Sequence, residues 1–446
     1  MGISVDGIST GLNTSQLISE LSAAYSRPKT LIENKITDYN QLKSDYGTLA
    51  TKLTAAQTAM EALQGSDKLR SFSSSYSNTD AFDVTLDGDS IPGTYNVEVV
   101  QTAKSAVAMS NAIASPSTSL TGTATSISFS YGGTPHTVSI DAGSTLNDVV
   151  SSINSNVSGV TAYVMNTGSD YRLIIQGKNT GASNAISSLD LTNLGMSEDT
   201  ANSISAENAQ IKVNGIAIES ATNTFLDPIQ GMTITAKQST SSTAVPVTVN
   251  LDTTSISNKV KAFVDAYNEA VNFVNARDDY NEDNNTIGSF TGESSVRNIL
   301  SNLRMAMGSK YTGVGNTSLD STSQMGFKTN KDGTLSFNSS EFITAYTNYR
   351  DDVEALFSKT TGSFAATMVS RLDTFADPLT GQLKSAQTGI TNQVKQMTKQ
   401  VERWETRIIK YEERLRNSFD SLESITGKLN GTKNFLSTYF ANNSKE

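Results

Sequence analysis

The chain reads as an α+β multidomain protein: N- and C-terminal helices paired as a coiled-coil leg, a helical domain, and two nested β-rich domains inserted between them. Three patterns predict this. Apolar heptads run along both ends, a middle third rich in Ser, Thr and Gly alternates with period two, and helical period returns before the C-terminal heptads.

The C-terminal seam holds Val394, Val401, Ile408, Leu415, Leu422 and Leu429 at one position, with Ile390, Met397, Trp404, Tyr411 and Ile425 at the other. Ser418 interrupts it. At the N-terminal end Tyr25, Ile32, Tyr39, Tyr46, Leu53 and Met60 make one set, and Leu21, Leu42, Leu49, Ala56 and Leu63 the second, interrupted by Pro28 and Lys35. Spacings alternating between three and four bury one stripe per helix against a partner helix. One stripe supplies less burial than a long exposed ribbon needs to offset its lost backbone entropy, so the ends are expected to order in an oligomer or on a partner. Tyr25, Tyr39 and Tyr46 are bulky for a tight two-helix seam and predict a wider interface.

In chain order, Asn13, Thr14 and Ser15 are N-cap residue types ahead of a short helix carrying Leu17, Ile18 and Leu21. Pro28 is expected to end it and, with Ser26 as cap, to open a longer helix running to Gln64, with Gly65 as the stop. Strands follow at Phe82 to Leu86 and, after Pro92-Gly93, at Tyr95 to Val99. Ile127 to Tyr131 leads through Gly132-Gly133 to Val138 and Ile140. A short helix capped by Ser144 should turn Leu146, Val149, Val150 and Ile153 inward. Val160 to Met165 and Tyr171 to Gln176 read as strands, and Leu191 to Ala206 as a polar return linker. Asn214-Gly215 predicts a hairpin within Ile211 to Ile218. Met232 to Ala236 and Val245 to Leu251 complete the β region. Helical period resumes at Ser255, with Ile256, Val260, Phe263, Tyr267, Val271 and Val274 on one face. A helix over about Ser294 to Met307, a hairpin at Asp332-Gly333 and further helices to Phe375 lead to the terminal seam. The predicted domains are 1–39 with 386–446 for the leg, 40–68 with 251–385 for the helical domain, 69–106 with 206–250 for one β domain, and 107–205 nested within it.

Composition narrows the function. A net charge of -10 over 446 residues, with 17% charged, leaves no basic footprint for nucleic acid. Without cysteine there is no disulfide, thiolate nucleophile or cysteine zinc site. No apolar stretch reaches membrane-spanning length. The opening MGISVDGIST lacks the basic and apolar regions of a cleaved leader, and Asp6 stands where myristoylation needs Ser or Thr.

Candidate chemistry is thin. The single histidine, His136, sits in a predicted turn with no second histidine or cysteine to complete a triad or metal site. Asp279, Asn281 and Asp283 begin like a calcium loop, but Asn284 replaces its glycine and Phe290 its bidentate glutamate. Gly177-Lys178-Asn179-Thr180 resembles a phosphate loop, but Arg172 stands where the first glycine belongs, so it reads as a turn. Trp404 on the seam reads as core first and as a partner anchor second. The run Glu402, Arg403, Glu405, Arg407, Lys410, Glu412, Glu413, Arg414 and Arg416 reads as a solvated face with helical ion pairs. No catalytic, cofactor-binding or metal-ligating residue is assigned.

Several collinear segments carry a family resemblance: Ser9-Thr10-Gly11-Leu12-Asn13-Thr14, Pro28 before the long helix, Asp45-Tyr46-Gly47-Thr48-Leu49, Gly93-Thr94-Tyr95-Asn96-Val97-Glu98-Val99, and Thr145 to Asn154. They continue through Val213-Asn214-Gly215, Phe263-Val264-Asp265-Ala266-Tyr267-Asn268, Lys331-Asp332-Gly333-Thr334-Leu335, and the seam ending at Phe435-Leu436. Together the chain resembles the flagellar filament cap proteins, the hook-associated protein 2 family. The one departure is Asn13, where the family carries an acidic residue; the helix cap is kept. The resemblance implies a non-enzymatic, ring-like homo-oligomer at the distal tip of the bacterial flagellum, exported by the flagellar apparatus without a cleaved leader. It implies flagellin as the protein sheltered, folded and inserted, and a hook-filament junction protein and an export chaperone as further partners. The competing expectation is a surface adhesin whose β blocks bind host glycans on a coiled-coil stalk; a filament subunit such as flagellin is the third.

Overall fold

The computed structural model describes residues 9–65, 68–281, 286–311 and 319–443. Two compact units share the chain, one formed by Met1–Gln64 with Asn258–Glu446 and one by Gly65–Ser257. In chain order the elements are α1 (Thr14–Glu61), β1 (Phe72–Ser75), β2 (Phe82–Leu86), β3 (Gly93–Gln101), β4 (Ser105–Met109), β5 (Thr125–Tyr131), β6 (Thr134–Ile140), α2 (Leu146–Asn156), β7 (Val160–Asn166) and β8 (Tyr171–Thr180). Next come β9 (Ile186–Asp190), β10 (Ala209–Val213), β11 (Ile216–Ser220), β12 (Thr224–Ile229), β13 (Met232–Ala236), β14 (Val245–Leu251), α3 (Thr253–Asn275), β15 (Tyr280–Asn281) and β16 (Thr286–Ile287). The rest is α4 (Ser294–Gly308), β17 (Phe327–Thr329), β18 (Leu335–Phe337), α5 (Ser339–Asn348), α6 (Arg350–Ser358), α7 (Phe364–Ala376) and α8 (Gln382–Asn443).

In the helical unit, the Asn13 side chain caps α1 by accepting from the Gln16 amide at 3.0 Å. Pro28 does not break this helix; α1 is continuous through it. The ring removes one amide donor and crowds the carbonyl four residues back, a cost of about 3 kcal/mol. Tyr25 and Lys29, on either side of it, are both engaged with α8. That packing holds the turn in place. The helix ends at Glu61 rather than Gln64, the Leu63 and Gln64 amides closing tighter turns onto Met60 and Glu61 at 3.0 and 3.1 Å.

The inward face of α3 is as expected: Ile256, Val260, Phe263, Tyr267, Val271 and Val274 are all buried. Around Phe364 the rings of Phe263, Tyr311, Phe327 and Phe357 gather at centroid distances of 5.6–6.2 Å, all edge to face. Such pairs each add about 0.5–1.5 kcal/mol beyond area burial.

The other unit is built on antiparallel sheets. One has strand order β1-β14-β3-β10-β11, and β12-β13-β2 forms a second. Their facing residues, among them Phe82, Val97, Val99, Ile211, Phe225, Ile234, Val247 and Val249, make one core. The β10–β11 turn uses Asn214 and Gly215 at φ 51° and 86°, the paired left-handed geometry of a two-residue hairpin. The chain between β3 and β10 forms two three-stranded sheets, β4-β8-β7 and β6-β5-β9, with α2 against β6 and β7. Its own core includes Ile127, Phe129, Val138, Leu146, Val149, Ile153 and Ile175. Where this segment leaves and returns, Lys104 and Glu207 exchange backbone hydrogen bonds of 3.0 and 3.1 Å and pair their side chains at 3.0 Å.

Several local expectations need correction. Thr145, not Ser144, caps α2, because only Thr145 has an acid three residues on: Asp148 returns a 2.8 Å bond to the Thr145 amide. His136 lies in β6 opposite Phe129, not in a turn. Gly177 to Thr180 belongs to β8, where Gly177 pairs with Val160. The stretch from Leu191 to Ala206 is no passive linker, since Leu191, Leu194 and Met196 are buried in the second core and Ile204 bridges Val107. Strands β1, β4, β9, β12, β15 and β16 are not marked by the sequence pattern. Short Ser- and Thr-rich strands gain order from their neighbours rather than from their own alternation.

Replacing Phe364 by Ala should destabilise the helical unit by about 3–5 kcal/mol, because a ring surrounded by rings leaves a cavity that cannot close. Urea unfolding monitored by near-ultraviolet circular dichroism measures this; a loss below about 1 kcal/mol would contradict the packing described.

Candidate assembly interface

Helices α1 and α8 lie antiparallel, as their contacts show. Gln387 donates to the Lys43 carbonyl at 3.1 Å, Lys29 meets Glu405 at 3.1 Å, and the Ser9 amide donates to Glu423 at 3.0 Å. As one number rises the other falls. Tyr25 stacks on Tyr411 at 4.2 Å and meets the Trp404 ring edge to face at 5.8 Å. Arg407 and Arg414 lie over the Trp404 and Tyr411 rings at 5.2 and 5.8 Å. Members of the charged run thus sit over seam aromatics or, for Glu405, bond across to α1.

Burial along this pair is graded. Leu42, Tyr46, Leu49, Leu53, Ala56 and Met60 are buried where α1 packs on α7 and the start of α8. Tyr25, Ile32 and Tyr39 on α1, and Val394, Met397, Val401, Trp404, Ile408, Tyr411 and Leu415 on α8, are half-buried, and Ile390 is buried. Leu21, Leu422, Ile425 and Leu429 do not face the partner helix within the chain, being 41%, 41%, 57% and 64% exposed. For α8 the reason is periodicity. A straight helix drifts about 20° per heptad from a 3.5-residue repeat. Past Leu415 the sheltered face of α8 passes one position on, to Phe419, Glu423 and Thr426, while at the start of α1 the buried positions are Thr14, Ile18 and Ser22, of which Ile18 continues the Tyr25 set. Ile18 and Ser22, four apart, were the available signal.

Polar groups fix the register. Glu423 accepts from the Ser9 amide and the Thr10 hydroxyl, and Asn430 donates to the Ser9 carbonyl at 3.1 Å. The Thr10 hydroxyl, with the Ser9 amide, holds the Glu423 carboxyl below its ordinary pKa. The hydrogen bond that Lys29 donates to Glu405, helped by the charge of Glu33, raises the pKa of the Lys29 ammonium.

A second anchor, without a signal in the heptad pattern, is the Asp45–Arg277 pair. Asp45, within the apolar stripe of α1, is 4% exposed and accepts from Arg277 at 2.8 Å, Ser289 at 2.7 Å and Gln41 at 3.0 Å. Burial alone would raise its pKa, but the bonds from Ser289, Gln41 and Arg277 outweigh it and the carboxyl sits low. Arg277 also stacks on Phe273 at 3.7 Å. Beside it the Tyr46 hydroxyl donates to Glu293 at 2.7 Å, and burial, with the Glu293 charge, pushes its pKa up to about 12. Phe290 is buried against Tyr46 and Phe273. The Asp279 carbonyl accepts from the Gly288 amide and Asn281 is in β15, while Asp283 and Asn284 lie outside the described residues. Among the described residues no helix is long and apolar enough to cross a membrane.

Comparison with known proteins decides the family. The model for the flagellar hook-associated protein 2 C-terminus matches residues 206–431, and that for its N-terminus residues 10–106. This chain belongs to the flagellar hook-associated protein 2 family. A flagellin hook IN motif matches residues 126–179, spanning β5 to β8. Flagellar hook-associated protein 2 of Escherichia coli K12 is 29% identical over 99% of both chains, and the A-type protein of Pseudomonas aeruginosa 27% identical over 96% of this chain and 95% of its own. The crystal structure of the D1-D2-D3 domains of the flagellar cap protein from Escherichia coli superposes with TM-score 0.66 at 28% identity, covering 78% of this chain and 99% of that one. The protein is a flagellar cap protein, of the α+β class its sequence predicts.

Two outcomes follow. Asp45→Asn should cost about 1–3 kcal/mol at neutral pH. Because the folded pKa is lowered, the wild-type contribution is complete above about pH 4 and is lost as pH falls through the folded value. The gap between variant and wild type in urea melts should therefore shrink on acidification; a gap independent of pH would refute the ion-pair role. In dilute protein, amide exchange should be slow from Leu42 to Met60 and fast in α8 beyond Asn430. Uniformly slow exchange along α8 would contradict the gradient.

Proposed function

We propose that this protein caps the growing filament at the distal tip of the bacterial flagellum, acting as a ring-like homo-oligomer that shelters exported flagellin and promotes its folding and insertion. It works without catalysis, outside the cell, after passage through the flagellar export apparatus. The observation that carries this reading is the match to the Escherichia coli hook-associated protein over 99% of both chains, supported by the likeness to a solved flagellar cap protein. A hook-filament junction protein and an export chaperone are the further partners proposed.

The predicted seam is part of the proposal, with residues 1–39 and 386–446 as the leg. So are the helical domain at 40–68 with 251–385, a β domain at 69–106 with 206–250, and the nested domain at 107–205. Physically the leg suits an assembly role. It joins chain ends by partly exposed aromatic and ionic contacts that a neighbouring subunit can complete. The glycan-binding alternative gains no support from the relatives described, which are flagellar.

Truncation after Gln387 in a strain lacking its own cap protein tests the reading. The β-sheet unit should stay folded by limited proteolysis, while flagellin escapes unpolymerised into the medium. Filaments of normal length would overturn it.

A further inference from the structure

Between β11 and β12 the parent sheets turn through Ala221 to Asn223, and that turn is pinned from several sides. The Asn223 carbonyl accepts from the Ala236 amide at 2.8 Å, its side chain accepts from the Ala103 amide at 2.7 Å, and the Ser220 hydroxyl donates to the Thr224 carbonyl at 2.9 Å. Onto this turn comes a part of the insertion that neither leaves nor rejoins the parent: the end of β8 and the residues after it. The Thr180 hydroxyl donates to the Ala221 carbonyl at 2.7 Å, and the Ala182 amide donates to the Asn208 side chain at 2.8 Å. Between them Gly181 is buried at φ 96°, its amide donating at 3.1 Å to the same Lys104 carbonyl that accepts from Glu207. A methyl group on Gly181 would stand 2.7 Å from the Ala221 methyl carbon and carbonyl oxygen. Only glycine allows two backbones to meet so closely at this φ.

We infer that this third contact locks the insertion to its parent sheets, so that the two move as one rigid body, and that Gly181 sets the angle between them. A unit joined to its host by two adjacent strands alone is free to swing, because the ribbon they form bends and twists about its own line. A hinge needs a few residues free to change φ and ψ. Here the segment leaving at Ala103 and Lys104, the one returning at Glu207 and Asn208, and the uncrossed turn at Thr180 to Ala182 are all hydrogen-bonded at the joint. Swinging the insertion toward Ala221 drives Gly181 into that backbone, and swinging it away breaks the Thr180 and Ala182 bonds. Either direction is blocked. A surface on the insertion is therefore presented at a fixed angle to any surface on the parent sheets, and contacts that use both need no separate ordering step.

Pulsed electron–electron distance measurements test this in the full-length protein, whose lack of cysteine leaves introduced labels alone. Thr85→Cys on β2 and Ser139→Cys on β6, both exposed, carry spin labels on either side of the joint, in protein diluted with unlabelled copies. With Gly181 in place the distance distribution should be single and narrow, and Gly181→Ala should broaden it and move its centre. A second pair within the insertion, Ser139→Cys with the exposed Thr161→Cys, should stay narrow in that variant, which separates a freed joint from an unfolded insertion. Where Gly181→Ala unfolds the insertion, Thr180→Val combined with Asn208→Ala decides, because it removes two bonds and adds no clash; broadening across the joint then upholds the lock. A distribution already broad without these substitutions overturns the inference. So does one equally narrow in every folded variant.

Discussion

The antiparallel register of α1 against α8 is the constraint on which the helical unit depends. It is held at separated levels, by Gln387 on Lys43, by Lys29 with Glu405 beside the Tyr25 aromatic contacts, and by Ser9 and Thr10 on Glu423. Individually these are modest, an exposed ion pair contributing at most about 1 kcal/mol and an aromatic pair about as much. A proline inside α1 costs about 3 kcal/mol, so local preference would break the helix there. Packing on both sides of Pro28 decides the matter the other way. The helix therefore transmits a fixed geometry past its own weakest point.

Burial changes character along that pair. Its inner end is a core, with Leu49, Leu53 and Met60 fully enclosed and Asp45 neutralised by Arg277 and two hydrogen bonds. Farther out the same heptads are half-covered, and the last ones are open to solvent. Core burial supplies the stability at the inner end, while the aromatics farther out stay half-covered. Under the proposed function, that outer end is the part offered to neighbouring subunits.

The β-sheet unit meets a different constraint, carrying a long insertion between neighbouring strands of one sheet. Exit and return lie side by side and are strapped by the Lys104 and Glu207 backbone bonds, so the insertion costs the parent sheet little. Across the insertion, Arg172 reaches Asp199 at 2.5 Å and the Asp199 backbone amide donates to Met109 at 2.7 Å, fastening the returning segment to the β4-β8-β7 sheet. Polar residues perform this fastening, which explains how a stretch of low hydrophobicity comes to be ordered.

Period and punctuation made much of the fold legible. The heptads announced two long terminal helices, Asn214-Gly215 announced a hairpin, and the face of α3 could be written down residue by residue, because each signal is local and repeats within a few residues. The α+β class and the candidate seam came from the same source. What only tertiary structure decided are the places where a neighbour overrules local preference or where a small angular drift accumulates. Pro28 stays helical because α8 packs beside it, Gly177 and His136 are strand because β7 and β5 pair with them, and Asp45 is buried because Arg277, distant in sequence, reaches it. The outward turn of Leu422, Ile425 and Leu429 has the second cause: a seven-residue repeat and a 3.6-residue helix part company by degrees, and only the packed helix records where they have separated.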